Sequence, residues 1–126
     1  PKKALTLLAT ASRGGSAEEP KEQAMMLNNM GCVHLSMHQP HTAAVLLAKA
    51  LQRAIRSPGD QQAATATAIS QRSQILYNLG VAHLHAAGFR NALECLLLAA
   101  EELHQRPHLW LRIAECCVAA VLHAER

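Results

Sequence analysis

Two stretches decide the fold when laid over each other: Leu27-Asn28-Asn29-Met30-Gly31-Cys32-Val33-His34 and Leu76-Tyr77-Asn78-Leu79-Gly80-Val81-Ala82-His83. Leucine, asparagine, glycine and histidine recur at the same offsets in both. Beyond each glycine the match continues: Ala43 or Ala92, then Leu47 or Leu96 four positions on, then Ala50 or Ala99 three later. Spacings of three and four place these residues on one helical face, and a second helix returning twelve positions after a mid-helix glycine makes an antiparallel pair. Self-similarity of this kind fixes the architecture more firmly than local propensity does.

The spacing is similar to the tetratricopeptide pattern W-x-x-L-G-x-x-Y, A-x-x-x-F, A, with His in place of the usual Tyr and Leu in place of the Phe. A third copy of its first half starts 34 positions after Leu76, at Trp110-x-x-Ile113-Ala114-x-x-Cys117. At the front, Ala4, Leu8 and Ala11 carry the spacing of a second helix whose first helix is not in the chain. The expected fold is an all-α tetratricopeptide-repeat (TPR) superhelical solenoid of antiparallel helix pairs. Helices are predicted near 1–12, 21–37, 40–56, 68–86, 89–105 and 107–123. Pro40, Gly88 and Pro107 serve as turn or first-turn residues.

One domain over 1–126 is expected, divided into 1–12 (second helix of an incomplete repeat), 24–57 (repeat), 58–72 (insertion or linker), 73–106 (repeat) and 107–126 (first helix of a further repeat). Because the chain opens at Pro1 and not at methionine, it reads as a fragment or processed form. By composition, Arg13-Gly14-Gly15-Ser16-Ala17 and Ser57-Pro58-Gly59-Asp60-Gln61-Gln62 are linkers. The second widens the spacing from Gly31 to Gly80, which loop-closure entropy tolerates cheaply.

The predicted packing residues are Leu27, Gly31, Ala43, Ala50, Leu76, Gly80, Ala92, Ala99, Trp110 and Ala114. Small residues among them let paired helices approach, while large ones fill the gaps between pairs. First helices should line the concave surface. This gives a candidate partner-binding face of Met25, Asn28, Cys32 and Leu35, then Gln74, Tyr77, Val81 and Leu84, then His108, Leu111, Glu115 and Val118. That face is mostly apolar and lacks the lysines and arginines with which carboxylate-clamping tetratricopeptide domains grip a C-terminus. It could hold a partner or be filled by further helices of the protein itself.

Composition supports helices throughout. Half of the residues are apolar, mainly Ala and Leu, with one Phe, one Tyr and one Trp. The net charge of +3 is spread along the chain and does not call for nucleic acid, and no apolar run is long enough for a membrane span or a secretory signal. Four cysteines without a C-x-x-C arrangement read as thiols of a reducing compartment, so the expected location is cytoplasmic, with the nucleus also open.

Catalytic and metal chemistry find no pattern. Cys32 with His34, His83 with His85, and adjacent Cys116 and Cys117 have spacings that point to different helix faces, and only His34 and His38 could share one. Arg112 stands one turn before Cys116, but packing thiols explain the pattern without a nucleophile. No nucleophile elbow, phosphate loop or carboxylate pair is present, so neither enzyme activity nor a cofactor is expected. Lys49, Arg53 and Arg56 could form a basic stripe able to touch RNA. With almost no aromatic residues for stacking, direct nucleic-acid contact is not expected to be the main role. The run from Leu109 to Leu122 is charged only at Arg112 and Glu115, so this helix is expected to be covered on both sides, by a partner or by a further helix.

Ile75-Leu76-Tyr77-Asn78-Leu79-Gly80, Ala92-Leu93-Glu94-Cys95 and Arg106-Pro107-His108-Leu109-Trp110-Leu111-Arg112-Ile113-Ala114-Glu115-Cys116-Cys117 carry more than the generic repeat, as does Asn28-Asn29-Met30-Gly31-Cys32-Val33-His34. These segments, about half the chain, resemble the tetratricopeptide subunit-ten family of the CCR-NOT mRNA deadenylase complex. The resemblance implies a scaffold without catalytic residues that pairs with the subunit numbered eleven and docks on the large NOT scaffold. The linkers, the Ala-rich segment near 63–68 and the N-terminal helix depart from that family. A generic TPR adaptor in another assembly, or an RNA-contacting solenoid, are the alternatives.

Overall fold

The computed structural model describes the backbone of residues 1–13, 20–55 and 66–125, and the side chains of 1–7, 20–54 and 71–125. Arg56, the segments 14–17 and 57–62, Ala63–Thr65 of the Ala-rich segment, and the side chains of Leu8 and Ala11 lie outside the described residues. Six helices and no strands occur among the described residues: α1 Lys2–Arg13, α2 Pro20–Ser36, α3 Pro40–Ile55, α4 Ala66–His85, α5 Phe89–Leu103 and α6 Pro107–Ala124. The predicted helix ends fall within two residues of these.

The turns between paired helices repeat as faithfully as the helices do. His38 and Ala87, at matching positions, both have left-handed backbone, with φ of 60° and 64°. In the first turn Gln39 N–H donates to His34 O at 2.9 Å and His38 N–H to Leu35 O at 3.0 Å. In the second, Gly88 N–H donates to His83 O at 2.8 Å and Ala87 N–H to Leu84 O at 3.1 Å. This is the Schellman arrangement, which satisfies carbonyls left over at a helix end. The returning helix starts at once, because Ala43 N–H donates to Gln39 O and Ala92 N–H to Gly88 O. Pro40 and Pro107 open their helices where a missing N–H costs nothing.

The pairs α2–α3 and α4–α5 form hairpins, α3 packs on α4, α5 on α6 and α1 on α2. The first helices α2, α4 and α6 also touch in sequence and so make one layer. Inside each hairpin the frame glycine is the seat of a leucine. A methyl group built on Gly31 would stand 2.6 Å from Leu47 Cγ, and one on Gly80 would stand 2.7 Å from Leu96 Cγ. Leu47 and Leu96 are both 0% exposed. Burial of each stabilises by about 1.5–3 kcal/mol.

Three apolar clusters make the core: Ala43, Leu47, Leu79 and Ala82; Leu76, Leu96, Ala99 and Leu109; and Ala24, Ala50 and Ile75. Half-buried Leu51 packs against all three. The core is thus continuous from α2 to α6. No described helix is long and apolar enough to cross a membrane.

Candidate functional site

Of the predicted packing residues, Gly31, Ala43, Ala50, Leu76, Gly80, Ala92 and Ala99 are buried, and Leu27 is half-buried against the Ala24 cluster. Trp110 and Ala114 correct the expectation, because both are exposed. The physical reason is geometric. Their counterparts in α2 and α4 face the second helix of the same hairpin, and no described helix occupies that side of α6. What α6 does bury is Leu109 and Cys116, at the positions of Ile75 and Ala82, which face the neighbouring hairpin. The indole of Trp110 lies back over the α5–α6 turn and donates its N–H to His104 O at 2.6 Å.

The candidate partner face divides into two joined parts. Between α2 and α4, Asn78 Nδ2 donates to Asn28 Oδ1 at 2.9 Å, and Gln74 Nε2 reaches Asn78 Oδ1 at 3.4 Å. Between α4 and α6, the Tyr77 and His108 rings meet edge to face with centroids 5.3 Å apart. Arg112 Nε donates to Tyr77 Oη at 3.4 Å, and its Nη1 pairs with Glu115 Oε2 at 2.9 Å. The face therefore does contain an arginine, contrary to expectation. Arg112 is held by Tyr77 and then Glu115, which together push its pKa further up. With its side chain 35% exposed, the pair with Glu115 contributes little to stability.

Met25, Leu111 and Val118 stand more than half exposed, whereas Cys32, Val81 and Leu84 are half-buried. Leu35 walls a cleft of about 320 Å³ with His38, Pro40 and His85. Asn78 and Arg112 were missed by sequence reasoning. Asn78 had signalled itself only as the counterpart of Asn29, which is exposed here.

The thiols are placed for packing. Burial raises the pKa of Cys32, Cys95 and Cys116, with Glu94 adding to the effect at Cys95 and Cys117 at Cys116. Cys116 Sγ lies 3.1 Å from Phe89 O, and Cys117 is exposed. Among the described residues no three His, Cys, Asp or Glu side chains gather as metal ligands. His34 and His38 do not share a helix face, because His38 lies in the turn beyond Ser36; His34 Nδ1 stands 2.6 Å from Gln39 Oε1. Burial lowers the pKa of His83. In the basic stripe Lys49 is exposed, but Arg53 Nη1 donates to Gln23 Oε1 of α2 at 2.7 Å. Arg53 thus serves the hairpin.

Stacked hairpins, each closed by a leucine on a glycine, define an all-α, tetratricopeptide-like solenoid. No family model matches the chain. It is 34% identical over 78% of its length to the Danio rerio protein named CCR4-NOT transcription complex subunit 10, and 39% identical over 79% to the Drosophila melanogaster protein of that name. It is also 32% identical over 78% of its length to the Xenopus laevis subunit 10-A. The chain spans between 15% and 18% of the length of these relatives. It is a divergent relative of the CCR4-NOT subunit 10 proteins.

Proposed function

We propose that this chain is a non-catalytic TPR scaffold segment that holds protein subunits together within a CCR4-NOT mRNA deadenylation complex. The observation that carries the reading is its similarity, over more than three quarters of its length, to proteins named as subunit 10 of that complex. In this reading 24–57 and 73–106 are the complete repeats, with half repeats at 1–12 and 107–126. The partners are the subunit numbered eleven and the large NOT scaffold, met on the layer of α2, α4 and α6, and the location is cytoplasmic with access to the nucleus. Buried, weakly acidic thiols support a structural role for the cysteines. Arg53 bonded within its hairpin lends nothing to an RNA-binding role.

The test is affinity purification of the tagged chain from cells, followed by identification of what is retained. Recovery of CCR4-NOT subunits, reduced by Leu111→Glu with Val118→Glu, is the expected result. Recovery of a different assembly would favour a generic adaptor. If a full-length subunit 10 recovers the complex under the same conditions and this chain recovers none of it, the proposal fails.

A further inference from the structure

The second helices α3 and α5 lie on the side opposite the layer of α2, α4 and α6, and their outer surface is partly apolar. On α5, Leu97 and Leu98 are 49% and 42% exposed, with exposed Glu94 and Glu101 about one turn before and after them. On α3, Val45 is 55% exposed and is followed by exposed Ala48 and Lys49. Spacings of three and four make each set one stripe, away from buried Ala43, Leu47 and Ala50 on α3 and from Ala92, Leu96 and Ala99 on α5. A missing neighbour does not explain the exposure. Helix α3 has both α2 and α4 packed along it, and its Ala48 and Lys49, the counterparts of Leu97 and Leu98, are open all the same.

The two stripes are complementary. Helix α3 offers a small apolar patch with a cation, and α5 offers two leucines between two carboxylates. The repeat sets Ala48 at the height of Leu97 and Lys49 at the height of Leu98, on helices that run the same way. A half-turn about an axis parallel to α3 and α5, and midway between them, therefore lays each α3 along the α5 of a second copy with no shift in height. Leu97 of one copy then meets Ala48 of the other, whose short side chain leaves it room, and Lys49 falls between Glu94 and Glu101. We infer that the outer face of α3 and α5 is the interface of a twofold dimer of this chain.

Area sets the strength of the contact. Helix α3 has 16 residues, so each of the two helix faces is about 24 Å long and about 10 Å across, and together they cover roughly 500 Å² on each copy. Twice that lies at the lower bound for a specific interface, so the dimer is weak and forms at high concentration. Charge fixes its geometry. The twofold axis repeats the contact of Lys49 with Glu94 and Glu101, whereas α3 against α3 would bring lysine to lysine, and α5 against α5 carboxylate to carboxylate. The layer of α2, α4 and α6 stays open on both outer sides of the dimer, so the inference stands whatever that layer holds.

The experiment is sedimentation equilibrium of the full 126-residue chain across concentration, beside Lys49→Glu, the double variant Glu94→Lys with Glu101→Lys, and Leu97→Glu. Wild-type mass should climb from one copy toward two and stop there. Lys49→Glu and the double lysine variant should each weaken association by about tenfold or more, because like charges then meet at both contacts. An equimolar mixture of those two should regain the wild-type affinity, since one contact is reversed in sign and the other is unaltered. Leu97→Glu should stay monomeric. Circular dichroism checks that each variant keeps its helix, and Lys49→Gln with Glu94→Gln and Glu101→Gln replace any charge reversal that unfolds, with weakening again expected. A wild-type chain that stays monomeric to its solubility limit overturns the inference. So do growth past two copies, association unchanged in Lys49→Glu and Leu97→Glu, and a mixture of folded, charge-reversed variants that does not recover.

Discussion

The helices of the second hairpin approach so closely that a methyl group on Gly80 would fall 2.7 Å from Leu96 Cγ and 3.3 Å from the backbone oxygen of Ala92. Alanine is otherwise preferred over glycine inside a helix by about 1 kcal/mol. Overpacking wins here, and Gly80→Leu should cost about 1–3 kcal/mol or more. At Gly31 the three nearest atoms all belong to the flexible Leu47 side chain. Gly31→Ala should therefore be milder than Gly80→Ala, where backbone also blocks the way. Urea unfolding of the three variants beside wild type checks the order, and equal stability of Gly80→Leu and wild type would remove the glycine seat from the account.

At His38 and Ala87 the reverse holds, since left-handed backbone strains a residue with a Cβ. His38→Gly and Ala87→Gly should each stabilise by up to about 1 kcal/mol, read as a higher urea midpoint at unchanged slope. The gain at His38 is reduced if its side chain gives something to the cleft it shares with His85. A lower midpoint for Ala87→Gly would show the turn to be relaxed as it stands.

Asn29 and Asn78 hold equivalent positions in the repeat but unequal surroundings. Asn78→Ala breaks the bond to Asn28 across two hairpins and should cost about 1 kcal/mol. Asn29→Ala, at an exposed site, should be near neutral. Thermal melts of the two variants side by side provide the comparison, and equal losses would refute the distinction.

Thiol reactivity should separate adjacent cysteines. An alkylating reagent is expected to label exposed Cys117 well before buried Cys116, with peptide mapping as the readout. The raised pKa of Cys32, Cys95 and Cys116 also sets a pH dependence. Their protonated forms are favoured in the folded state, so their contribution is fully present below the ordinary thiol range. It is lost as pH rises through that range toward the folded values, because the unfolded chain releases those protons first. Stability measured at mildly alkaline pH should fall, and less so in a Cys116→Ala variant compared with its own neutral-pH value.

The glycine seats and the alanines around them were legible in the sequence because both sides of each contact lie in one hairpin, at fixed offsets from Gly31 and Gly80. What escaped depends on how one hairpin sits on the next. The Asn28–Asn78 bond joins residues separated by an insertion, and the Arg112–Tyr77 bond depends on the stacking of α4 on α6. Neither follows from the 3.6-residue period of a single helix. Trp110 and Ala114 fit the repeat by spacing, but spacing says which way a residue faces and not whether another helix lies there.

Leu51 touches all three apolar clusters, which makes one side chain the joint between neighbouring hairpins. In a linear array, whole-molecule unfolding in a single step requires strong coupling between adjacent units. Leu51→Ala removes packing from every cluster at once, at about 2–5 kcal/mol if the site behaved as a full core position and less for this half-buried one. The larger effect should be on cooperativity. Its denaturation curve should broaden or split as the α2–α3 hairpin melts separately from α4–α6, whereas Leu47→Ala, confined to one cluster, should shift the midpoint and keep more of the slope.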